Sequence, residues 1–206
     1  MINDGILKIV NFQVVLKQHK YMSMSSPQKN KGSGFEREIA KYLSDTYGES
    51  FIRAPGSGAY VGGKNQHRTE VLHEGQIRSF KGDIVPGQSF GRMNVECKFY
   101  ADFPFHLILT GECKVLDGWL GQLMDVADPD DVNILFMKFN RKGKYVCVQS
   151  KLTWVADNFT YYTSQKHGDW MIFEFDSFFL HNIPILKSYC SPDTKSNQSS
   201  ILTINV

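Results

Sequence analysis

With 206 residues, 42% of them hydrophobic and 21% charged, the chain has the composition of an ordinary globular domain, which excludes wholesale disorder. No apolar run approaches the roughly 20 residues that a bilayer-spanning helix needs, so no membrane role is expected. A net charge of +2 excludes a uniformly basic nucleic-acid binder; basic residues outnumber acidic ones from Met1 to Lys98 and the balance reverses from Phe99 onward, so a phosphate-facing surface is expected in the first half.

In chain order, residues 1–27 read as an appendage, set off by the polar break Ser23–Lys31. Its apolar stretch Gly5–Leu16 is short and lacks a basic lead-in and a small-residue cleavage site, so it does not read as a signal peptide. Gly34–Tyr47 predicts an amphipathic helix with Ser33 as cap, Glu36 three residues on, and Phe35, Ile39, Tyr42 and Leu43 as the buried stripe; Gly48 stops it. A short strand over Phe51–Arg53 leads to a turn at Pro55-Gly56-Ser57-Gly58, and residues 59–78, polar and without periodicity, predict a long loop. Ser79–Val85 and Met93–Tyr100 predict two strands. Leu116–Val126 predicts a helix carrying Leu116, Trp119, Leu120 and Leu123, broken by Asp128-Pro129-Asp130-Asp131. Val132–Phe139 and Lys144–Gln149 predict a hairpin through Arg141-Lys142-Gly143. Leu152–Val155 opens a further short element, Trp170–Leu180 is rich in aromatics, and the tail after Tyr189 is polar and loose. The expected division is an appendage (1–27), a core (28–150) and an extension without assigned role (151–206); the element order describes an α/β fold, a central mixed sheet flanked by helices. Cys97, Cys113, Cys147 and Cys190 form no CxxC pair, which argues against a zinc ribbon and suits a reducing cytoplasm.

The chemistry gathers in Gly82-Asp83-Ile84 and Val95-Glu96-Cys97-Lys98. Strand side chains alternate, so Glu96 and Lys98 share one face while Val95 and Cys97 take the other. On an edge strand such a pair is commonly a solvated ion pair; on an apolar strand it makes sense facing a site. Asp83 ends the preceding strand, where its carboxylate can stand beside Glu96, and two carboxylates form an oxygen cage suited to magnesium. Such a metal polarises a phosphate oxygen and supplies hydroxide near neutral pH, with Lys98 serving the water or the developing charge. On the first helix Glu36 and Glu38 lie on opposite shoulders of the stripe and Arg37 points away; helical geometry alone does not choose which acid leans toward the sheet. Phe51-Ile52-Arg53-Ala54-Pro55-Gly56-Ser57-Gly58 puts an arginine at a strand end and a hydroxyl in a glycine-rich turn that can approach a phosphate.

The order K-G-x-x-F-E-R-E, I-R-A-P-G-S-G, G-D-I-V, V-E-C-K resembles archaeal-type Holliday-junction resolvases and their viral relatives, a branch of the PD-(D/E)xK nuclease superfamily, over residues 29–149. The resemblance implies a restriction-endonuclease-like core and a Mg2+-dependent endonuclease, with Mn2+ able to substitute. It implies metal ligation by Glu36, Asp83 and Glu96, with Lys98 the catalytic lysine and Ser57 in a loop tied to catalysis. Arg37, Arg53 and Ser57 match positions that meet DNA; Lys64 and Arg68 in the glycine-rich loop extend that surface. It further implies branched DNA as substrate, a homodimer, and the host cytoplasm if the chain is viral. Residues 59–78 are an insertion relative to those resolvases, and the material after Gln149 does not align with them. Other PD-(D/E)xK activities (restriction-like, repair or end-processing) and a non-cleaving DNA-binding module of the same fold are the alternatives.

Other signals weigh less. Gly58–Asn65 nearly spells a GxxxxGK[ST] phosphate loop, but Asn65 replaces the hydroxyl and no apolar helix follows. His67, Glu70, His73 and Glu74 read as a polar loop, and His106 as a packed histidine. Trp119 reads as core. Gln122 is expected to face solvent rather than the site. Tyr60, Lys138 and Arg141 read equally as DNA surface or as solvated side chains.

Overall fold

Phe35, Ile39, Ala40 and Leu43 recur at three- and four-residue spacing and are buried together along one face of α1 (Pro27–Tyr47). The computed structural model describes residues 27–55 and 81–192. The chain divides into two units, Met1–Lys31 and Gly32–Val206, and the candidate site lies within the second. The helix starts earlier than the expected Gly34, at Pro27, a residue suited to a first helical position because its missing N–H would be unpaired there. Ser33 is therefore interior and not a cap, and the Ser33–Glu36 capping box does not form.

After α1 stops, β1 (Ile52–Arg53) pairs antiparallel with β2 (Ile84–Val85). The strand expected over Ser79–Val85 is thus cut to two residues within the described part; Lys81–Asp83 bend instead. The cause is Gly82, at φ +68°, where a Cβ would sit 2.4 Å from the Val95 carbonyl oxygen. Only glycine lets the backbone come this close, and the next residue's N–H then donates to that same carbonyl at 2.8 Å.

β3 (Met93–Tyr100) runs parallel to β4 (Val132–Phe139), with α2 (Lys114–Met124) in the crossover between them. β4 turns back antiparallel into β5 (Gly143–Gln149), as the hairpin pattern predicts, through Arg141 and Gly143, both at positive φ. The expected short element at Leu152–Val155 has no regular structure, but Trp154 is buried there against Phe178. β6 (Thr160–Ser164) and β7 (Gly168–Glu174) then join the same sheet, and α3 (Phe175–Cys190) follows, with Glu174 accepting from the Ser177 N–H as its cap. Among the described residues the sheet is five-stranded, ordered β3-β4-β5-β7-β6.

β4 is apolar on both faces because both are covered. One face buries Val95, Cys97, Ile134, Phe136 and Val148 against α1 and α3. The other buries Leu135, Met137, Phe139 and Trp170 against Leu116, Trp119, Leu120 and Leu123 of α2. A central mixed sheet between helices is the layout of a restriction-endonuclease-like core. The four cysteines are buried and free, and no described helix is long and apolar enough to cross a membrane.

Candidate active site

β3 places its side chains as its alternation demands. Val95 and Cys97 enter the α1/α3 layer, while Asn94, Glu96 and Lys98 take the α2 side. Asp83 is strapped between strands: its N–H donates to the Val95 carbonyl, its carbonyl accepts from the Ala54 N–H, and its Oδ2 accepts from the Cys97 N–H at 2.8 Å. Lys98 Nζ donates to Glu96 Oε1 and to Gln122 Oε1, each at 2.5 Å. Asp83, Glu96 and Glu36 are all buried, which is unusual for carboxylates and makes this cluster the candidate site.

Glu36 comes to this place because it follows Phe35 on the buried shoulder of α1. Its Oε2 accepts from Arg53 Nε at the end of β1. Glu38, the other shoulder, is engaged elsewhere, with Lys138 at 2.5 Å and Lys144 at 3.5 Å. Arg37 is exposed and reaches back to the Ser33 carbonyl at 3.2 Å. Ser57, Lys64 and Arg68, with Tyr60, His67, Glu70, His73 and Glu74, lie outside the described residues. Lys138 also lies over the rings of Phe35 and Phe99, at 5.6 and 5.3 Å from their centroids, so it is a packed ion-pair partner of Glu38.

Electrostatically the acids work against one another. Burial, then the charge on Glu96, then Glu36, push the Asp83 carboxyl up to about 7, although the Cys97 N–H and Lys98 pull it down. Glu96 is raised as well, first by burial, with Lys98 opposing. The cluster is short of positive charge. A divalent cation with hard oxygen ligands would supply it, and Asp83 and Glu96 are the donors whose chemistry fits. Among the described residues no group of three or more His, Cys, Asp or Glu side chains is arranged to hold a metal; Glu36, expected as third ligand, is held by Arg53.

The comparisons decide the family. A family model described as a phage putative PDDEXK endonuclease matches residues 27–187. The chain belongs to that family. No curated protein and no solved structure matches it. The match extends past Gln149 through β6 and β7 into α3, in keeping with the place of those elements in the sheet. In this PD-(D/E)xK family member the buried acids Asp83 and Glu96 lie at the entry to β2 and on β3, away from a cleft among the described residues. That cleft, about 600 Å³, lies by the start of α2 and the β6–β7 turn, lined by Glu112, Lys114, Asp117 and His167 among others.

Two polar contacts go beyond what the sequence favoured. Gln122 is exposed, as expected, yet its Oε1 also accepts from Lys98, one helical turn beyond Trp119. Asn94 is fully buried, donating to the Leu123 carbonyl and to Asn133 Oδ1, and Asn133 donates on to Gln149. This polar ladder ties β3 to β4, β5 and α2 just below Glu96, and nothing in the local pattern distinguished these amides from surface ones.

Proposed function

We propose that the chain is a metal-dependent endonuclease that hydrolyses phosphodiester bonds of DNA, with branched DNA as its preferred substrate and a two-fold pair of chains as the acting unit. One observation carries the reading: two buried carboxylates of raised proton affinity, Asp83 in the bend before β2 and Glu96 on β3, are drawn together by the Cys97 N–H that binds Asp83, with Lys98 hydrogen-bonded to Glu96. Asp83 and Glu96 would hold Mg2+ or Mn2+, and Glu36 would join them when Arg53 exchanges it for a DNA phosphate. Such an ion supplies Lewis-acid polarisation of the phosphate and hydroxide at neutral pH. Lys98 holds the attacking water or the phosphate oxygen through its Nζ, with Glu96 and Gln122 fixing the ammonium's direction. Arg37, Arg53, Ser57, Lys64 and Arg68 are assigned to the DNA backbone, and binding through phosphates makes affinity fall steeply with salt. A phage family points to the host cytoplasm as the place of action.

The test compares a four-way junction, a duplex, a flap and a single strand as substrates for the parent and for Asp83→Asn, with and without Mg2+. Mg2+-dependent cutting that Asp83→Asn abolishes while DNA binding persists supports the site. Equal cutting by Asp83→Asn sinks it, and duplex cut faster than every branched substrate removes the branched-DNA assignment.

A further inference from the structure

β3 presents its chemistry at every second residue: Glu96, Lys98 and then Tyr100 share one face. Lys98 is largely covered, whereas Tyr100 at the strand's end is 49% exposed. An exposed tyrosine needs no explanation by itself. This one is buttressed. Its ring centroid lies 4.9 Å from that of Trp119; Trp119 stacks on Phe103 at 5.3 Å, and Phe103 on Phe139 at 5.0 Å. The three inner rings are buried, so Tyr100 is the outer end of an aromatic column rooted in the core. Its backbone is pinned too, the carbonyl accepting from the Asn140 N–H at 3.2 Å.

α2 couples this ring to the catalytic lysine. Trp119 meets Tyr100 and Gln122, one turn later, meets Lys98. The two positions on β3 are therefore held together, about 6.6 Å apart along the strand, close to the length that one extended nucleotide adds.

We propose that Tyr100 is a stacking platform for an unpaired DNA base beside the phosphate handled by Asp83, Glu96 and Lys98, and that it makes the enzyme favour strands with an unstacked nucleotide at the cut. This rests on the nuclease reading above. A base inside a duplex already has neighbours on both faces and has none to offer; a base at a branch point, flap or single strand does, and every base has a π-face, so the platform reads structure without reading sequence.

The test reads binding, so that it stands apart from cleavage. Full-length Asp83→Asn protein, with and without Tyr100→Ala, Tyr100→Leu or Tyr100→Phe, is titrated with single-stranded oligonucleotides in which one abasic position is moved along the strand. The expected result is a position where removing the base weakens binding about 5- to 150-fold, the range of one base–aromatic stack. Tyr100→Ala and Tyr100→Leu weaken binding of the intact strand by the same factor and make the abasic change silent, while Tyr100→Phe behaves as the tyrosine does. 2-Aminopurine at that position is quenched by the Tyr100 protein and not by Tyr100→Leu. An abasic penalty as large in Tyr100→Leu as in Tyr100 protein overturns the proposal, as does 2-aminopurine that stays bright along the whole strand. Coupling without Mg2+-dependent cutting by the parent keeps the platform and sinks the nuclease reading; cutting without coupling does the reverse.

Discussion

The backbone N–H of Cys97 donates a 2.8 Å hydrogen bond to Oδ2 of Asp83, fastening this acid to the strand that carries Glu96 and Lys98 on either side of that amide. The bond needs an acceptor, not a charge, and this separates two substitutions. Asp83→Asn keeps an acceptor and is expected to fold with undiminished thermal stability while losing at least about 100-fold in Mg2+-dependent nicking. Asp83→Ala leaves the buried Cys97 N–H unpaired and is expected to lose about 1–3 kcal/mol as well, read from its urea midpoint.

Lys98 and Gln122 should part in degree. Lys98→Met removes the ammonium and is expected to abolish nicking. Gln122→Ala leaves the ammonium on Glu96 alone, free to swing, and should reduce kcat by about 10-fold, the worth of a hydrogen bond to a charged group. Equal losses for the two variants would give Gln122 a larger part than holding the lysine's direction.

Stability should fall as pH rises. The folded Asp83 carboxyl, at about 7, keeps a proton that an unfolded carboxyl near 3.8 has already released. Between these limits the native state binds more protons than the unfolded one, so the slope of stability with pH is negative, and Glu96, raised too, adds in the same direction. Without divalent ions the protein should therefore melt at a higher temperature near pH 5 than near pH 8. Mg2+ should restore the loss at the higher pH, and Asp83→Asn should flatten the dependence. A melting temperature that climbs between those pH values contradicts the assignment of strain to these acids.

Gly82→Ala should be costly out of proportion to one methyl group. The position has φ +68° and a Cβ there would meet the Val95 carbonyl oxygen at 2.4 Å. Left-handed strain alone is about 1–2 kcal/mol, and the clash pushes the Gly82–Asp83 backbone off β3. The expected outcome is a loss of about 2–4 kcal/mol by denaturant titration, with nicking impaired even where the variant is folded.

Arg53→Ala leaves Glu36 buried without its guanidinium partner. A destabilisation of about 3 kcal/mol is expected, and Mg2+ should raise the melting temperature more in this variant than in the parent, because the released carboxylate is free to turn to the ion. An identical Mg2+ response in the two proteins would keep Glu36 out of the metal site.

How much of this was legible in the sequence depends on how local the cause was. The β4–β5 hairpin, β3 and α2 were readable because periodicity and the turn residues Arg141 and Gly143 act within a few positions. The sequence set Asp83 beside Glu96 by ending a strand at Asp83; the structure instead brings it there in a bend, through the close approach that Gly82 admits. Where α1 begins was not readable, since Ser33 and Glu36 make a plausible cap whether or not the helix starts upstream. Nor was the partner of Glu36: Arg53 lies 17 residues away and only the packed fold brings it there. β6 and β7 were missed because aromatic density in Trp170–Leu180 does not tell a strand from a helix, and the segment holds the end of one and the start of another. Gln122 and Asn94 bond to distant neighbours, and only the packed fold brings those partners within reach.

The short connection from Val85 to Met93 is gripped at several points: Phe90 is buried, the Ser89 N–H donates to Glu49, the Arg92 N–H to the Cys190 carbonyl at 3.0 Å, and the Arg92 carbonyl accepts from Val132 at 2.7 Å. One residue gained or lost there would slip β3 by a single step and present Val95 and Cys97 where Glu96 and Lys98 now stand, trading a cutting edge for a greasy one. Length variation in such a chain should therefore be lethal to activity between residues 86 and 92.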